Sequence, residues 1–167
     1  LVFPKLVIEE TYDDNIFAAA TGTVEDFKAN IKPELRIDSD WKNHFLSGFF
    51  NADIARHVDN AAEDFEDITF GADGRIDVRR DTNVSASITY NEGHENRGSP
   101  DDVNGTNPTK TSLVTTTLAG FNKWNRISID ADVAVKQFDF DDVSTTTGVT
   151  NNDDRDRNSY VYTVRGG

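Results

Sequence analysis

From Thr69 to Val78 every second position is apolar or small, namely Phe70, Ala72, Gly74, Ile76 and Val78. The positions between them carry Asp73, Arg75 and Asp77, and Arg79 continues the polar set. A period of two places these sets on opposite faces of a β-strand, one suited to an apolar medium and the other to water. The alternation recurs along the chain. Phe27, Ala29, Ile31, Pro33, Leu35 and Ile37 oppose Lys28, Asn30, Lys32, Glu34, Arg36 and Asp38. Leu46, Gly48, Phe50, Ala52 and Ile54 form a third such face, although Phe49 interrupts its polar partner. Val84 to Tyr90 alternates against Ser85, Ser87, Thr89 and Asn91, and Ile127 to Val135 against Ser128, Asp130, Asp132, Ala134 and Lys136.

Three further segments complete a count of eight strands. Leu6 to Glu9 begins a first crossing, with Pro4 arguing against a central strand there because it cannot donate to a ladder. Thr111 to Phe121 is dense in Thr, and its pattern leaves open which face is apolar. Tyr160, Tyr162 and Val164 mark the last strand. Between strands, short turns near 39–42, 80–82 and 122–125 alternate with long connections near 13–25, 57–63, 92–110 and 139–158. Such alternation predicts an all-β, antiparallel, up-and-down barrel spanning a membrane, with short turns on one rim and large loops on the other. Residues 1–167 read as a single barrel domain or partial barrel. Trp41 and Trp124 fall at the short-turn rim and Tyr90 toward the long-loop end, where interfacial rings belong.

The alternative is a secreted soluble sandwich, in which the apolar faces meet inside and bind carbohydrate or calcium outside. Composition weighs against it: hydrophobic residues are only 36% of the chain, low for a soluble core but natural where one side of each strand faces a wet lumen. No run of about 18 apolar residues exists to form a membrane helix, a test that β-barrel strands do not have to meet. The net charge of −13 argues against a nucleic-acid partner, whose backbone it repels. The absence of Cys removes disulfides and thiol chemistry, and the absence of Met, including at position 1, points to a processed or trimmed start.

Strand parity assigns the lumen-facing set: Lys32, Glu34, Arg36, Asp38, Asp73, Arg75, Asp77, Arg79, Asp130, Asp132 and Lys136. Both signs interleave, which makes a transverse field suited to polar solutes rather than a single-sign filter. Phe49 and Phe138 are candidate inward aromatic platforms for a sugar. At the loop rim, His94, Glu95, Asn96 and Arg97 are candidates to pair and order the long 92–110 loop, in which Asp101 and Asp102 are further rim candidates. No catalytic constellation is legible: there is no nucleophile elbow, phosphate loop or metalloprotease helix, so the chain reads as a non-enzyme without a cofactor. His44, His57 and His94 lack the local spacing of a zinc site. Two acidic clusters, Asp101, Asp102 and Asn104, and Asp139 to Asp156, offer hard oxygens to calcium without EF-hand spacing.

Four stretches carry a family resemblance: Tyr12-Asp13-Asp14-Asn15-Ile16-Phe17; Pro33 through Trp41; Gly71-Ala72-Asp73-Gly74-Arg75-Ile76-Asp77; and His94 through Asp102. In order and spacing the chain resembles the N-terminal half of the alphaproteobacterial outer-membrane family known as putative beta-barrel porin type 2, over roughly residues 3–142, which implies an N-terminal fragment of a larger barrel. The resemblance implies a bacterial outer-membrane protein exported through the periplasm. It also implies a full barrel of about twice as many strands, and a link to capsular or exopolysaccharide production. Implied partners are outer-membrane lipid, lipopolysaccharide, the barrel-assembly machinery and a polysaccharide or small polar solute. The chain departs from the pattern in lacking a closing strand with a terminal aromatic, ending instead in Gly166-Gly167. Eight strands alone would enclose a core only wide enough for side chains, and so many charges there would need extensive pairing. A larger barrel removes that cost. The remaining membrane alternative is a closed structural or adhesin-like barrel.

Overall fold

Alternation over ten to fifteen residues, interrupted by Gly, Asn and Asp, leaves the backbone one way to satisfy its polar groups, which is hydrogen bonding to sequential neighbours. The computed structural model describes residues 1–100, 102–103 and 105–167. Its strands are β1 (Val2–Asp13), β2 (Asp26–Asp38), β3 (His44–His57), β4 (Phe65–Arg79), β5 (Thr82–His94), β6 (Lys110–Trp124), β7 (Ile127–Phe140), β8 (Val143–Thr145), β9 (Gly148–Thr150) and β10 (Arg157–Gly166). Eight of them form one antiparallel sheet in the order β1-β2-β3-β4-β5-β6-β7-β10, while β8 and β9 make a separate small hairpin. The sheet is meandering and not closed, with β1 and β10 at its two edges.

Most strands run longer than alternation alone indicates. β1 starts at Val2 and includes Pro4, which faces Leu35 across the β1–β2 pair; an edge strand tolerates the missing donor. The turn between β6 and β7 tightens to Asn125 and Arg126, with Asn125 at φ 52°, the left-handed conformation that two-residue hairpins demand. The connection near 139–158 is not a bare loop: β7 extends to Phe140, and the β8–β9 hairpin and a short 3-10 turn at Asp153–Arg155 occupy the rest. At the β4–β5 turn the register shifts between Asp77 and Arg79, a β-bulge.

Register assigns the faces, because directly opposed residues share one. Ile31 faces Ile54, Phe50 faces Phe70, Ile76 faces Val84, Leu118 faces Val133, and Val133 faces Tyr162. An apolar belt therefore runs unbroken across all eight strands. It is the outward face: Leu6, Ile31, Phe70, Ile88, Leu118 and Val164 are all exposed. The opposite face is polar and more enclosed, as on β7, where Asp130, Asp132 and Lys136 are half-buried while Ile127 and Ile129 are exposed. Among the described residues only Ala55 and Val143 are buried hydrophobics, so this sheet has no apolar core of its own. A strand of 13 residues is on the order of 40 Å long and, tilted by about 40°, rises about 30 Å, the thickness of a bilayer's hydrocarbon.

Candidate functional site: the polar inner face and the loop rim

The inner face is built from the polar alternates of each strand, and cross-strand register decides which charges meet. Glu34 accepts from Lys5 Nζ at 2.8 Å and Glu9 from Lys32 Nζ at 2.5 Å, both across the β1–β2 pair, with Asp53 of β3 3.6 Å from the same ammonium. Arg36 Nε lies 2.9 Å from Asp38, which also accepts from the Ser47 hydroxyl at 2.7 Å. Arg75 Nε lies 2.9 Å from Asp77 on its own strand. Asp130 and Asp132 share Arg165 of β10, at 2.6 and 3.3 Å. Asp73 stands between Ser47 and Ser87, and Lys136 between Thr115 and Ser159. Arg79 is the exception in the assigned set. The bulge sets it opposite Thr82, two residues before outward Val84, and takes it out of line with Asp73, Arg75 and Asp77.

Several members of this network were not singled out from sequence. Lys5 and Glu9 alternate with Leu6 and Ile8, so the signal was present, but a short first strand hid it. Arg165 reads in sequence as part of an irregular terminus, yet it faces Asp130 in register. Between the charged flanks the middle strands offer hydroxyls and amides, including Ser85, Ser87, Thr89, Asn91, Thr115 and Thr117.

Aromatic residues divide by type. All four Tyr, at positions 12, 90, 160 and 162, alternate with the outward apolar set. Of the eleven Phe, seven stand on the polar face: Phe3, Phe45, Phe49, Phe65, Phe121, Phe138 and Phe140. Phe49 lies across Gly71 of the next strand, and a Cβ built on Gly71 would come within 2.9 Å of its ring and 2.6 Å of the Ile88 carbonyl oxygen. The missing Cβ of Gly71 thus leaves the space that the Phe49 ring occupies. Phe138, by contrast, is covered on one side by the Arg157 guanidinium, 4.2 Å from its centroid.

At the long-loop end the connections interlock. Arg97 donates to both carboxylate oxygens of Glu63, at 2.8 and 2.6 Å, with the two side chains only 9% and 5% exposed. Asp102 stands 3.7 Å from the same guanidinium and the Phe17 ring lies 6.0 Å away. Hydrogen bonding to Glu63 raises the Arg97 pKa above its ordinary value against the opposing effect of burial, so this cation stays charged throughout the physiological range. Arg155 pairs with Glu95 and stacks on Phe140, 4.1 Å away. Asp26, buried at the start of β2, accepts from the backbone N–H of Asp59 and Asn60. His94 turns in over the Phe65 ring, centroids 3.9 Å apart, with Nδ1 2.8 Å from Asp67. Rim residues His94, Glu95 and Arg97 therefore meet partners on β4 and on other connections rather than one another. Asp101 and Asn104 lie outside the described residues. Among the described residues no group of three or more His, Asp or Glu is arranged to hold a metal ion.

A meander with an apolar outer belt, a polar inner face and no core of its own is the architecture of a transmembrane β-barrel wall. The family described as Putative beta-barrel porin 2 matches residues 1–167, the whole chain, and the protein belongs to that family. No match is found among curated proteins or among solved structures. The family name points to an outer-membrane, porin-like β-barrel.

Proposed function

We propose that the chain forms part of the wall of an outer-membrane channel for polar solutes, with its inner face along the path. The observation that carries this reading is the division of the sheet into a continuous exposed apolar belt and a charged, hydroxyl-rich opposite face. Lipid accepts the first and water the second, whereas a soluble fold would have to bury the belt. Exopolysaccharide is the finer reading of the cargo. The inward Phe49 and Phe45 rings offer apolar platforms beside Asn51, Ser85, Asp73 and Arg75, a pairing suited to sugar rings with apolar faces and hydroxyl rims. Lipid, lipopolysaccharide and the assembly machinery are the partners this reading requires, and it assigns the chain no reaction.

One observation favours a second reading. The buried Glu63–Arg97 pair ties two of the long connections together at the rim, an arrangement that suits a closed structural or adhesin-like barrel. The two separate by experiment. The full-length protein, extracted from membranes in mild detergent, should shift in gel mobility on boiling and conduct in planar bilayers. Replacing Asp73 and Arg75 with Ala should change conductance or solute flux while the boiling shift persists. A correctly inserted protein that never conducts would leave the closed barrel, and a protein soluble without detergent would end both readings.

A further inference from the structure

The net charge of −13 is not spread evenly over this fold. Among the described residues the four long connections, within 14–25, 58–64, 95–109 and 141–156, hold twelve carboxylates against the guanidinium groups of Arg97 and Arg155, which leaves −10 at one rim. The three short turns, 39–43, 80–81 and 125–126, hold two carboxylates against Lys42, Arg80 and Arg126, a balance of +1. The strands between them carry fifteen acidic and twelve basic residues, and the inner-face charges are largely paired, as in Lys5–Glu34, Lys32–Glu9, Arg36–Asp38 and Arg165–Asp130. Up-and-down connectivity is what sorts the charge. Every long acidic segment joins the same end of the sheet, so residues far apart in sequence add into one field.

Paired charges on the inner face largely cancel beyond a few ångströms, whereas an excess of one sign at a mouth does not. Such a mouth concentrates counter-ions and repels co-ions, and its low-dielectric walls focus the field. Rings of Asp and Glu give cation channels their preference by the same means. We propose that the channel prefers cations to anions, that the preference resides in the acidic loop rim rather than in the charged inner face, and that the barrel is polar along its axis. The inference rests on the channel reading above and specifies its selectivity. It needs no fixed ion site: the contributing carboxylates include Asp14, Asp59, Asp141 and Asp154, all exposed and, among the described residues, without a hydrogen bond or ion pair from their side chains.

The test is the reversal potential of the full-length protein in a planar bilayer under a potassium chloride gradient. It compares wild type with the variant Asp14→Asn, Asp59→Asn, Asp141→Asn, Asp154→Asn, and with a control variant Asp40→Asn, Asp81→Asn at the other rim. At low salt the wild type should favour potassium, the rim variant should lose roughly two- to tenfold of the permeability ratio, and the control should keep it. Near 1 M salt, where the screening length falls to about 3 Å, the difference between wild type and rim variant should vanish. Equal reversal potentials in wild type and rim variant, or a preference for chloride, would overturn the proposal while the channel stands. Absence of current from correctly inserted wild type, verified by the boiling shift, removes the channel and the selectivity with it.

Discussion

Gly71 shows how much a single position can decide. It looks interchangeable with the Ala and Gly around it in sequence, but its missing Cβ is what admits Phe49 and the Ile88 carbonyl. Gly71→Ala must displace backbone as well as a ring, an overpacking cost of about 1–3 kcal/mol. It should lower the temperature at which the folded gel band disappears, whereas Gly120→Ala, with open space at its Cβ, should not. The Glu63–Arg97 pair is the second such case. Removing the cation strands a buried carboxylate, typically costing about 3–5 kcal/mol, so Arg97→Ala should loosen the rim more than Glu63→Ala, which leaves Arg97 the Asp102 carboxylate 3.7 Å away. Protease cleavage within the connections of the inserted protein checks this, and equal protection in both variants would argue against the pair as the lock. Arg97 was legible as a rim residue from its motif. Its partner was not, because Glu63 sits in a connection whose sequence carries only polarity.

Among elements, β6 is the one whose facing the sequence left open, since Leu113 and Leu118 fall on opposite faces and Thr fits either. Neighbours settle it: Leu118 lies between Ala86 and Val133, both outward, and Leu113 between Asn91 and Phe138. An arginine on the lipid side of a barrel strand near the midplane costs about 2–4 kcal/mol. Leu118→Arg should therefore lower the yield of folded, heat-modifiable protein and its resistance to urea, and Thr117→Arg on the inner face should be tolerated. If both behave alike, the facing of β6 assigned here is wrong. The well-patterned strands β2, β4 and β7 needed no such help, although all proved longer than their clearest alternating stretches, because ladder pairing with the neighbouring strand continues beyond them.

For the whole molecule the open edges are the main consequence of the topology. β1 and β10 each present an unpaired row of backbone groups, and lipid offers those groups no partner. The 1–167 chain refolded alone in detergent should accordingly give a mixture of oligomers by light scattering, with edges satisfied between copies. A single monodisperse monomer would mean that β1 and β10 can pair with each other.

Much of this was fixed by the order of residues. Period-two alternation sets strand identity, turn chemistry sets the meander, and the contrast between short turns and long acidic connections sets the two rims, all through interactions within a few residues. What only the tertiary structure decided depends on register between strands. It joined Lys5 to Glu34 and Arg165 to Asp130, moved Arg79 out of line by one bulged residue, and laid Phe49 on Gly71. It also turned every Tyr outward and brought Glu63 to Arg97 across 34 residues of chain. Local sequence records the face a side chain prefers, but which charge or ring it meets there is set by the strand beside it.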